Sequence, residues 1–113
     1  MTSASATRWE TKRTDETRQV EEILREAGFE QVDAYRYNAA SIRVRVIDSR
    51  FEGWSLEERD RMVEPHLEHL PERTQADIVS LFTFAPSELQ DSKKSLKEFF
   101  LNTEFEDPSP SRL

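Results

Sequence analysis

Ile42-Arg43-Val44-Arg45-Val46-Ile47-Asp48-Ser49-Arg50-Phe51-Glu52-Gly53-Trp54-Ser55-Leu56-Glu57-Glu58-Arg59-Asp60-Arg61-Met62-Val63 runs from an alternating apolar segment through a glycine turn into a charged one. In its first part Ile42, Val44 and Val46 point one way and Arg43 and Arg45 the other. That is the pattern of a strand with one buried face and one carrying positive charge toward solvent or a partner. Gly53 is one of only two glycines in the chain, and a turn between strand and helix readily demands a positive φ that glycine reaches without steric cost. Ser55, with Glu58 three residues on, is a capping box, so a helix starts there. Leu56, Val63, Leu67 and Leu70 form its inward stripe. Pro65 lacks an amide proton and crowds the preceding turn, which predicts a kink or break near Glu64 and allows two short helical pieces.

Upstream, Val20, Ile23, Leu24 and Ala27 recur at helical spacing, and Gly28 supplies the stop. Gln31 to Tyr37 and Ile42 to Asp48 are extended segments rich in Val, Ile and Tyr, joined by Asn38-Ala39-Ala40-Ser41, which predicts an antiparallel hairpin. Downstream, Pro71 to Asp77 is polar and connecting. Ile78 to Phe84 is the most apolar run and suits a central or well-covered strand, parallel to the second if the two are neighbours. Pro86 ends it, and Ser92 caps a last helix whose Leu96, Phe99 and Phe100 are expected to face the sheet. The fold class is α+β: a small three-stranded mixed sheet against helices, in the order α-β-β-α-(α)-β-α. Residues 1–14 read as a disordered tail, 15–101 as the domain, and 102–113 as an acidic tail containing Pro and Ser. In that second tail Phe105 and Leu113 are either docking anchors or part of a disordered end.

Charged residues make up 35% of the 113-residue chain, apolar residues 35%, and the net charge is −7. That balance argues against indiscriminate binding to polyanions, though a local basic patch could bind one. There is no cysteine, which removes thiol catalysis and any cluster held by this chain's own thiolates. No segment reads as a secretory signal or transmembrane helix, and the expectation is a cytoplasmic, non-membrane protein.

Phe51-x-Gly53 followed by Arg59-x-Arg61-Met62-Val63, with Tyr35-Arg36-Tyr37-Asn38 before and Thr83-Phe84-Ala85-Pro86-x-Glu88 after, resembles the BolA family over roughly residues 18 to 89. The resemblance implies a fold akin to the type II KH domain. It also implies a regulatory, non-enzymatic protein that partners a monothiol glutaredoxin and shares a 2Fe-2S cluster with it; DNA binding is reported for some members. The histidine that the family carries between the two helix arginines is Asp60 here. The histidine that opens its third strand is Asp77, and the first-hairpin position reads Tyr37. Carboxylate and phenol are harder ligands than imidazole, so this reading keeps the scaffold and drops the chain's own metal ligands and cofactor.

The candidate partner-binding residues are Arg36, Tyr37, Asn38, Arg50, Trp54, Asp60, Arg61 and Asp77. Trp54 is an interface anchor if exposed and ordinary core if buried. Asp60 reads as a partner's acceptor or as a solvated helix charge, and Asp77 as a site residue or a loop cap. An alternative is a nucleic-acid-binding regulator using Arg43, Arg45, Arg50, Arg59 and Arg61, against which stands a salt-bridged surface; the Gly-x-x-Gly loop of KH recognition is missing. A third reading, a metal protein or enzyme using His66 and His69, lacks a third convergent ligand and an activated nucleophile.

Overall fold

The computed structural model describes residues 9–90 and 96–111. Helix α1 (Asp15–Glu26) begins at a capping box in which Thr14 and Thr17 each bond the other's backbone amide. It ends at Ala27, and Gly28 turns the chain at φ 103°. Strands β1 (Gln31–Asn38) and β2 (Ser41–Ile47) form the expected antiparallel hairpin, and β3 (Ile78–Phe84) lies parallel to β2. The result is an α+β fold with a mixed three-stranded sheet in the order β1-β2-β3.

That order corrects one expectation, because the most apolar run takes an edge while the strand with two arginines sits in the middle. The hairpin fills one side of β2, and the crossover can deliver β3 only to the other. Helix α2 (Leu56–Leu67) starts on the Ser55–Glu58 capping box and continues unbroken through Pro65. The proline falls in the last turn, where its missing amide costs one hydrogen bond, and the buried Val63 and Leu67 hold the helix on either side of it. The break comes instead after Leu67, and beyond Pro71 the supposed connection forms a short helix, α3 (Glu72–Asp77). Leu56 is exposed rather than inward, and the buried Arg59 takes a place on the inner side.

Val20, Leu24, Val32, Ala34, Ile42, Val44, Val46, Phe51 and Val63 form one apolar cluster between α1, α2 and the inner face of the sheet. The outer face carries a second: Trp9, Tyr35 and Phe105, flanked by Tyr37 and Phe82. Trp9 and Phe105 pack ring to ring with centroids 5.1 Å apart, and among the described residues the buried indole N–H has no partner. Both residues fall in segments read as tails. Trp9–Lys12 is a 3-10 turn, and α5 (Leu96–Glu106), which follows the short α4 (Pro86–Gln90), extends beyond residue 101.

The last helix is rotated from expectation. Phe105 is buried, so the row facing the sheet is Leu101, Asn102 and Phe105, while Leu96, Phe99 and Phe100 project outward and are exposed. Phe105 is therefore core rather than a docking anchor. The proposed cap Ser92 and anchor Leu113 lie outside the described residues.

Candidate functional site

The Phe51-Glu52-Gly53 turn is fixed by one buried carboxylate. Asp48 follows β2, caps the 3-10 turn Ser49–Phe51, and accepts from the Arg50 amide (2.9 Å), the Arg50 guanidinium (2.9 Å) and the Glu30 amide (3.1 Å). The Arg50 side-chain bonds hold its carboxyl below the usual range against the opposing effect of burial. Glu30 in turn accepts from both the amide and the hydroxyl of Ser49. Phe51 plugs the turn into the core, Gly53 adopts φ 78°, and the Trp54 amide donates to the Phe51 carbonyl at 2.9 Å. Trp54 is 39% exposed and Leu56 43% exposed, so two large apolar side chains stand in solvent, one on this hydrogen-bonded turn and one at the first position of α2.

Arg59 braces the same turn from below. Nearly fully buried, it donates to the carbonyls of Trp54 and Thr83 (both 3.0 Å) and makes a two-pronged pair with Glu88 at 2.9 and 2.7 Å. Arg61, one helical step away, is exposed and pairs with Glu57.

The remaining candidates are distributed over other surfaces. Arg36 and Asp77 do come together at 2.8 Å, and Arg36 also holds Glu16 at 2.9 Å. Tyr37 donates its hydroxyl to the Pro110 carbonyl and lies under the Arg43 guanidinium at 3.8 Å, while Asn38 donates to the Ser111 hydroxyl. Among the described residues Asp60 pairs with no arginine. It lines a groove against the start of β3, where burial first, and the charge of Glu64 second, raise its pKa. Tyr37, Asp60 and Asp77 thus have separate neighbours, and no described hydrogen bond links any two of them.

The arginines of the nucleic-acid reading are each already matched. Arg43 meets Glu104 (3.2 Å), Arg45 meets Asp33 (2.5 Å) and Glu106, Arg50 meets Asp48, and Arg59 meets Glu88. Arg45 is buried and Arg43 half-buried, because α5 and Trp9 cover the face that the alternation in β2 assigned to solvent or a partner. His66 stands edge-on to Phe29 at 5.7 Å. Among the described residues, no group of three or more His, Asp and Glu side chains is placed to hold a metal ion.

Two buried acids escaped the sequence reading. Glu21 accepts from the Ala34 amide (2.9 Å) and from Nε and Nη2 of Arg13, which follows the first turn, tying α1, β1 and that turn together. Its position one residue after Val20 and three before Leu24 put it on the buried stripe. Asp33, facing Arg45 across the hairpin, was legible only as a member of an alternating strand. Against known proteins, the chain matches no family model, no curated protein and no solved structure. Among the described residues no helix is long and apolar enough to cross a membrane.

Proposed function

We propose that this is a non-enzymatic interaction domain of regulatory type that binds a protein partner through the Phe51-Glu52-Gly53 turn and the start of α2. The observation that carries the reading is the pair Trp54 and Leu56, exposed on a turn held by Asp48 and Arg59. A large apolar side chain already ordered before binding loses little entropy on contact, which is how interface anchors act. Arg50 and Arg61 flank the pair, each exposed and held in an ion pair, with Asp48 and Glu57.

In its specific form the proposal keeps the BolA-like resemblance, a cytoplasmic setting and a monothiol glutaredoxin as the partner. The element order supports it, as does the position of Phe51-x-Gly53 between β2 and α2. Asp77 is engaged by Arg36 and Tyr37 by Pro110, so the proposed contact is one of surfaces, with no cluster ligand from this chain. Nucleic-acid binding has less support, since its arginines are paired within the fold.

Titration with a purified monothiol glutaredoxin under anaerobic conditions tests both levels. We expect a complex whose affinity falls about thirtyfold in Trp54→Ala, the loss typical of an interface hot spot. Absence of any complex would remove the glutaredoxin partner, and a complex indifferent to Trp54→Ala would remove the turn as its site.

A further inference from the structure

Asp60 and Glu64 of α2 and Glu68, its helical C-cap, follow one another every fourth residue and so form a single row. Among the described residues none of the three makes an ion pair. The row walls one side of a groove of about 450 Å³, and the other side is the start of β3, from Ile78 to Leu81.

The described sheet has no strand beyond β3. At the C-terminal end of β3 this edge is closed, since Arg59 donates to the Thr83 carbonyl at 3.0 Å. A strand residue turns its amide and carbonyl to the same side, and the side alternates along the strand. Leu81 therefore presents both groups on the same free side as Thr83, beyond the arginine that closes it. Where the pairing with β2 slips by one residue, Val79 is turned outward and is 61% exposed.

An open edge invites another strand, and proteins usually block it with lysine, proline or a covering element. Here the open part is bordered by carboxylates. A second copy of β3 carries no charge with which to meet them, and an acidic segment or a nucleic acid is repelled. An extended chain with alternate basic and apolar side chains satisfies both walls.

We propose that this groove docks an extended basic segment of a partner protein, which adds as a strand to the free edge of β3 and lays its cations against Asp60, Glu64 and Glu68. This rests on the reading of the chain as a protein-binding domain but uses a surface separate from Trp54, so the two can fail independently. The probe is a short labelled peptide alternating lysine with valine, compared with its glutamate counterpart and with a backbone N-methylated form, by fluorescence anisotropy and amide chemical shifts. The lysine peptide is expected to bind, to weaken as salt is raised, and to move the amide signals of Val79 and Leu81. D60N/E64Q/E68Q is expected to weaken it at least about tenfold, N-methylation to abolish binding, and Trp54→Ala to leave it unchanged. No binding of the lysine peptide, equal binding of the glutamate one, or full binding by the N-methylated form overturns the proposal.

Discussion

On its inner face the sheet sets Val32, Ala34, Ile42, Val44 and Val46 against Val20, Leu24 and Val63, with no charge among them. On its outer face Asp33, Tyr35, Arg43 and Arg45 meet Trp9, Glu104, Phe105 and Glu106. The inner contacts are non-directional and depend on area. Those of the outer face are directional, and the Arg45 guanidinium is held between Asp33, Asn102 and Glu106 while lying over the Phe105 ring at 4.6 Å. Even so, among the described residues the outer face leaves the Trp9 indole N–H unmet. The contrast teaches that charge alternating along a strand does not mean an exposed face; it can mean a face whose cover arrives from distant sequence with the opposite charge.

The largest break in this comparison belongs to the inner face. Phe51→Ala empties a fully buried site that also anchors the turn, and a loss of about 3–5 kcal/mol is expected in urea unfolding. Next comes Arg45→Met, which roughly keeps the volume and leaves the Asp33 carboxylate without its cation, with the Gln31 side-chain amide still donating to it. Removing one partner of a buried pair costs about 3–5 kcal/mol, and because Glu106 is solvated the expected loss here is nearer about 2–3 kcal/mol. Adding Asp33→Asn should recover much of it, whereas no second change on the inner face should restore Phe51→Ala. Equal rescue in both would erase the distinction.

The smallest effect is on pH. Burial acts to raise the Glu104 carboxyl, but two hydrogen bonds from Ser109 and the Arg43 guanidinium outweigh it and hold the group below its ordinary value. A depressed carboxylate stabilises the fold above its unfolded value, about 4.3, and that contribution disappears as pH falls through the folded one. In Trp54→Phe, where Trp9 is the sole indole, emission should begin to shift to the red below about pH 4 while far-UV ellipticity persists. Simultaneous loss of both signals would show that the two faces open as one.

The α+β fold was readable because each inner element declares itself locally: the alternation in β2, the stripe Val20, Ile23 and Leu24, and the capping box Ser55–Glu58. The outer face was not readable. Its cover consists of single aromatic residues, Trp9 and Phe105, set in polar segments with no periodic stripe to betray a buried side. Pro65 misled because its effect depends on its place in the helix, and the final turn tolerates it. The candidate site was half legible. Gly53 and Ser55 marked the turn, and Trp54 was singled out as a residue whose exposure would decide its role. The groove beside Asp60 joins α2 to an edge created by strand order, and no local pattern encodes that order.

The ring contact between Trp9 and Phe105 also ties together residues that stand 96 positions apart. Every residue of the inner cluster lies between Val20 and Ala85, so α5 can lift from the sheet without taking any inner-cluster residue with it. The patch bared by that movement, Tyr35, Arg43 and Arg45, is basic and aromatic on a molecule whose net charge is −7.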